Sequence, residues 1–233
     1  MRVWCTGESS FISRNFARWC DEHDHKHDIV NRLDNPYFDY FRQYDSKYKG
    51  YSKEIDIFDP TLPVLIGRSD AEVILHNAAI VGTDYCTKDP IIALRTNIEG
   101  TLHVIDCAKK IGIPLIFIST SVCYKPTEEK LYEDSVLEPQ TIYGMTKLAG
   151  ENLLKVWMKK DYVTIIPAML FGAHDLHSAS NKLIMSGLGK IQDTVHIALD
   201  PEYEKPFMYI DNYLDGIDVI LDHISELSGQ RIN

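Results

Sequence analysis

Short apolar runs of strand length alternate along this chain with longer stretches whose apolar residues recur at helical spacing. The pattern predicts strands over 2–5, 28–31, 54–58, 71–75, 114–118 and 162–166, and helices over 11–21, 92–110 and 143–159. Regular strand–helix alternation builds right-handed βαβ units, which stack into a parallel sheet covered by helices on both faces. The expected fold is therefore α/β, a doubly wound parallel sheet. Ligands of such sheets sit at the carboxyl ends of the strands, where the winding reverses. The stretch 36–51 stands outside the alternation. It carries Tyr37, Phe38, Tyr40, Phe41, Tyr44, Tyr48 and Tyr51 among charged residues. It reads as an insert packing over the sheet edge, or as a lid or partner surface.

Charge and cysteine usage narrow the function classes. The 233 residues carry 24 Lys and Arg against 34 Asp and Glu, a formal net charge of −10. That balance argues against a sequence-independent nucleic-acid binder, which needs basic charge to displace counterions. No apolar run reaches membrane-spanning length, and residues 1–5 show no signal-peptide pattern. The five cysteines (Cys5, Cys20, Cys86, Cys107 and Cys123) are odd in number and form no CxxC pair. They read as reduced thiols in the cytoplasm. His23, His25 and His27 alternate with acids in 21–28. This reads as a polar loop, and no metal site is expected.

Three places carry chemistry. First, Cys5-Thr6-Gly7-Glu8-Ser9-Ser10-Phe11-Ile12-Ser13 joins the first strand to the first helix, where a dinucleotide's pyrophosphate docks on helix N–H groups. Of three fingerprint glycines only Gly7 is present; Ser10 and Ser13 hold the other places, and Ser9 or Ser10 is a natural helix cap. A side chain at a glycine place with positive φ costs on the order of 1 kcal/mol. Second, Tyr143 and Lys147 lie four apart on a helix, hence one turn apart on one face. A lysine ammonium beside a phenol favours the phenolate and lowers its pKa, which suits proton transfer at a carbonyl or carbinol. Third, Thr120 and Ser121 follow a buried-type strand, and His76-Asn77-Ala78-Ala79 ends the strand before it.

The order and spacing of TGESSFIS (6–13), EIDIFD (54–59), HNAA (76–79), TNIEGT (96–101), FISTSVCY (117–124), YGMTKLAGE (143–151), IIPAMLFGAHD (165–175) and KPFMYIDN (205–212) resemble the extended short-chain dehydrogenase/reductase family. These are the NAD(P)-dependent nucleotide-sugar epimerases, dehydratases and reductases. The resemblance implies a Rossmann-type dinucleotide-binding domain over 1–166 and a small substrate-binding region over 167–233, interleaved with it. It implies Tyr143 as acid/base, Lys147 as the lysine that tunes it and holds the nicotinamide ribose, and Thr120 as the hydroxyl partner, with Ser121 second. Implied cofactor contacts are Gly7, Ser10, Phe11, Ile12, Asp56, Ile57, Ala78, Ala79, Asn97 and Lys147. Implied substrate contacts are Ser121, Lys182 and Lys205. The run 170–175 is most similar to GDP-L-fucose synthases and related 4-reductases, so 4-keto reduction of a nucleotide-linked sugar is the expected reaction. Epimerisation or dehydration is the alternative, and a non-catalytic binding protein a third reading.

The sequence also departs from the family. Ile166 and Met169 stand where Arg and Asn are usual. Val122 and Lys182 stand at the fucose synthases' Cys and His, with Cys123 one place off, which disfavours 3,5-epimerisation. The substrate-binding part is expected to be minimal. Arg32 follows the second strand directly and tips the expected cofactor from NAD towards NADP, with Asp34 the competing signal. Family resemblance also implies a homodimer through helices 92–110 and 143–159.

Overall fold

The computed structural model describes residues 1–7, 10–23, 25–31, 52–173, 175 and 206–233. The stretch 36–51 lies outside them, as do residues 176–205 of the expected substrate-binding region.

Its first half is β1 (Arg2–Thr6), α1 (Phe11–Glu22), β2 (Lys26–Asn31), β3 (Ser52–Glu54), α2 (Leu62–Arg68), β4 (Val73–His76), α3 (Thr83–Lys88), α4 (Pro90–Leu94) and α5 (Thr101–Ile111). The second half is β5 (Leu115–Ile118), α6 (Ile142–Leu153), β6 (Tyr162–Ile165), β7 (Met169–Phe171), β8 (Phe207–Tyr209), α7 (Ile210–Asp222) and β9 (Arg231–Ile232). The strands form a seven-stranded sheet in the order β3-β2-β1-β4-β5-β6-β9, every pair parallel. β7 and β8 make a separate parallel pair.

Strand alternation builds two cores. Val3 and Cys5 of β1 point to one face, where Val73, Leu75, Ile116 and Ile118 join Phe16 and Trp19 of α1 and Leu214 and Ile217 of α7. Trp4 points to the other, among Ile74, Leu115 and Phe117, under Leu62 and Ile66 of α2 and Val104 and Ile105 of α5. Both faces of the central strands are therefore sealed, as parallel sheets require. Burying each such aliphatic side chain contributes about 1.5–3 kcal/mol. The winding reverses between β1 and β4, so their carboxyl ends open the cleft of a doubly wound sheet.

Three expected elements differ. The third strand, expected over 54–58, is Ser52–Glu54. The Asp56 carboxylate accepts the Phe58 N–H (3.0 Å) and its carbonyl accepts the Asp59 N–H (2.9 Å). That turn takes the chain out of the sheet and drops Ile57 into the second core. The expected helix 92–110 starts earlier, at Pro90, capped by the Asp89 carboxylate on the Ile92 N–H (3.2 Å). A wide π turn, Arg95–Gly100, separates α4 from α5, and a second, Leu154–Met158, extends α6. Helices α2 and α3 are too short to show periodicity in the sequence.

Candidate active site

The turn after β1 is built around Gly7. Its φ is +83°, and a Cβ there would stand 2.8 Å from Ala78 Cα, so only glycine lets β1 and the segment after β4 approach this closely. The serine at the second glycine place carries no strain: Ser10 has φ −74° and ψ 151°, ordinary extended backbone. The strain expected there is thus absent. Ser10 caps α1 through Oγ, which accepts the Ser13 N–H (3.0 Å). The Phe11 and Ile12 N–H groups, first and second in the helix, have no partner among the described residues. Two outward N–H groups at the positive end of a 12-residue helix form a cradle for an anion, so the residues present fit a dinucleotide pyrophosphate.

A buried relay ties this turn to the next helix. Thr6 Oγ1 accepts the N–H groups of Asn77 (3.2 Å) and Ala78 (3.1 Å), so its own proton goes to His76 Nδ1 (2.8 Å). His76 Nε2 must then donate to Thr101 Oγ1 (3.0 Å), whose proton goes to the Asn97 carbonyl (2.7 Å). Burial first, and the neighbouring Lys147 second, push the imidazole pKa down to about 3, so His76 stays neutral and the relay keeps one direction. Asn97, inside the π turn, accepts the Ile80 N–H (2.7 Å) and donates to Ile80 O and Thr146 Oγ1 (both 3.0 Å). Its amide fixes the segment after β4 against α6.

Helix α6 carries the expected proton-transfer pair. Thr141 caps it by accepting the Gly144 N–H (3.0 Å). Tyr143 and Lys147 are both buried. The Tyr143 phenol lies close enough to the Thr120 hydroxyl to feel it, and Thr120 stands in extended backbone just past β5. The titration of the pair differs from the expectation. Burial raises the Tyr143 pKa, with the Cys123 and Cys86 thiols adding to the rise and only the Thr120 hydroxyl opposing it. The expected lowering by Lys147 is absent, because the Lys147 ammonium lies over the Phe117 ring, 4.1 Å from its centre. Lys147 itself is lowered to about 8 by burial, against which Cys123 and Glu151 act.

Behind Lys147 stands a wall that the motifs did not announce. The Ser119 hydroxyl donates to Glu151, which also takes Arg231 Nε (2.9 Å) from β9. The Arg231 guanidinium lies over the Tyr124 ring at 4.2 Å. Glu151 follows Lys147 by four residues, the interval that separates Lys147 from Tyr143, so helical spacing alone puts it on this face.

Other expected residues fall as follows. Ala78 and Ala79 are half-buried beside Gly7, Asp56 is half-buried past β3, and Ser121 is exposed in a short turn. Ile57 is buried in the second core and faces Gly100. Arg32, Asp34, Lys182 and Lys205 lie outside the described residues. Val122 is exposed, whereas Cys123 is buried, its thiol donating to Gly144 O (3.4 Å) and its pKa raised to about 11. His23 and His25 stack on Trp19, with ring centres 4.2 and 5.4 Å away. No described helix is long and apolar enough to cross a membrane.

Strand order, the Gly7 turn and the Tyr143–Lys147 pair make this chain an extended short-chain dehydrogenase/reductase. More narrowly, it belongs to the NAD dependent epimerase/dehydratase family, which matches over residues 3–233. A dTDP-4-dehydrorhamnose reductase of Streptomyces griseus is 29% identical over 136 residues, covering 58% of this chain and 43% of the relative. A dTDP-glucose 4,6-dehydratase of Mycobacterium tuberculosis is 28% identical over 166 residues, covering 68% of this chain and 49% of the relative. The chain thus spans about half the length of the curated relatives it matches. The solved UDP-glucuronic acid 4-epimerase of Bacillus cereus, in complex with UDP-glucuronic acid and NAD, shares the fold with a TM-score of 0.85 at 24% identity. That likeness covers 100% of this chain and 77% of the other.

Proposed function

We propose that this chain is an NAD(P)-dependent oxidoreductase of a nucleotide-linked sugar and reduces a 4-keto group. The observation that carries this reading is the buried Tyr143 close to the Thr120 hydroxyl, with the buried Lys147 one turn along α6. The dinucleotide is held by Gly7, the N–H groups of Phe11 and Ile12, Ala78, Ala79 and Lys147. When bound, its nicotinamide supplies the hydride. Tyr143 gives its proton to the carbonyl oxygen of the sugar, and the Thr120 hydroxyl hydrogen-bonds the same oxygen. A phenol raised by burial keeps its proton until that oxygen turns strongly basic, which suits the acid role. Lys147, one turn along, holds the nicotinamide ribose. Residues 167–233 supply the sugar side of the cleft, and five free, buried cysteines accord with a reducing cytoplasm.

A 29% identical 4-dehydrorhamnose reductase supports reduction. The full-length likeness to a 4-epimerase favours epimerisation as the second reading. Cofactor balance separates the readings: a reductase consumes one reduced nicotinamide per turnover, whereas an epimerase returns it. Replacing Tyr143 with Phe should lower kcat by about 100-fold or more and leave the dinucleotide Kd within about threefold. An active variant would sink the assignment of Tyr143. We also propose a homodimer through the helix pair 92–110 and 143–159. Ile91, Leu94 and Leu102 on one helix, and Met145 and Val156 on the other, recur at helical spacing and stand exposed.

A further inference from the structure

The serines at the second and third glycine places are joined to the end of β4 by a side chain that the family motif does not require. Asn77 Nδ2 donates to Ser10 Oγ and to Ser13 Oγ (2.9 Å). The Ser10 hydroxyl donates to Ser13 Oγ (3.1 Å) while accepting the Ser13 N–H (3.0 Å). Ser13, fully buried, passes its proton towards the Thr6 carbonyl (3.5 Å). The bonds form a closed triangle, Ser10–Ser13–Asn77, across a sequence separation of 67 and 64 residues. Both Asn77 amide protons are engaged, and Ser10 uses both lone pairs and its proton.

We propose that this triangle is a positioning device for the dinucleotide pyrophosphate: Asn77 clamps the start of α1 so that the Phe11 and Ile12 N–H groups stay aimed into the cleft. Glycines leave that turn free to adapt to the phosphates. Here the start of α1 is fixed before the ligand arrives, and the ordering cost is met on folding. The inference rests on the dinucleotide reading above.

A double-mutant cycle tests it, with NADH and NADPH titrated by nicotinamide fluorescence. Asn77→Ala should weaken binding of the preferred dinucleotide by about tenfold in the native background. In the Ser10→Gly/Ser13→Gly background the same change should alter affinity by less than about twofold, because the partners are already gone. Equal losses in both backgrounds would overturn the clamp. So would an unchanged Kd accompanied only by a lower melting temperature, the mark of a purely structural residue. If Asn77→Ala does not fold, Ser13→Ala removes the two bonds that end on the Ser13 hydroxyl, leaving only Asn77 to Ser10, and should weaken binding about threefold; an unchanged Kd there overturns the proposal equally. Failure of the native chain to bind either dinucleotide would instead overturn the functional reading, which keeps the two failures apart.

Discussion

Lys147 is a cation held in a place that disfavours charge. Burial brings its pKa from 10.5 to about 8, and Glu151 and Cys123 keep it from falling further. Below pH 8 the ammonium is present and can hold ribose hydroxyls; above it the amine is neutral. Dinucleotide affinity should therefore fall as pH rises through about 8, measured as Kd between pH 6.5 and 9.5. Stability runs the other way. Between about 8 and 10.5 the unfolded chain keeps the proton that the folded chain has released, so the penalty for burying this charge, full below 8, is relieved as pH rises. Loss of affinity without loss of stability would mark the effect as local to the site. At this scale Tyr143, Lys147 and Thr120 were legible because each is fixed by a short interval along one element. The titration of Tyr143 was not, since it follows first from burial and then from the nearby Cys123 and Cys86 thiols, which lie outside the motif.

Helix α6 reaches the loop that carries Thr120 through a glycine. A Cβ on Gly144 would stand 2.5 Å from the Val122 carbonyl oxygen, a backbone atom that has little room to yield. Gly144→Ala should thus push the helix off the loop, part Tyr143 from Thr120, and lower kcat by about tenfold or more with a smaller effect on dinucleotide binding. A steady-state comparison of kcat with Kd checks it; equal loss of both would point to general unfolding instead. The long elements were readable because their apolar period is regular. Two features hid from that period. The π turns insert a residue's worth of backbone without altering composition, and the third strand's apolar Ile57 and Phe58 look like strand until Asp56 turns the chain. The strain expected at the serines of the phosphate turn is not there, because the sequence shows a missing glycine but not the backbone angle Ser10 adopts, nor Asn77 waiting opposite.

For the whole molecule, the alternating pattern was enough to give the parallel sheet and its two helical faces, since only one arrangement buries both sides of such strands. It could not give the seventh strand's neighbours, because β9 pairs with β6 across a stretch whose pattern says nothing of register. The exposed apolar side chains belong to this scale as well. Ile91 is 76% and Val156 70% exposed, and Ile91→Glu with Val156→Glu should convert a dimer to a monomer by light scattering while leaving the fold intact. A native chain that is monomeric at micromolar concentration would refute that interface. The tie between Arg231 and Glu151 spans 80 residues and sits directly behind Lys147. During synthesis, α6 therefore emerges with an acid whose arginine partner is still to come, and Lys147, one turn earlier, is the cation beside it until β9 follows. The wall behind Lys147 is complete only once β9 has joined β6, so docking of that strand and the settling of the lysine's surroundings become one event.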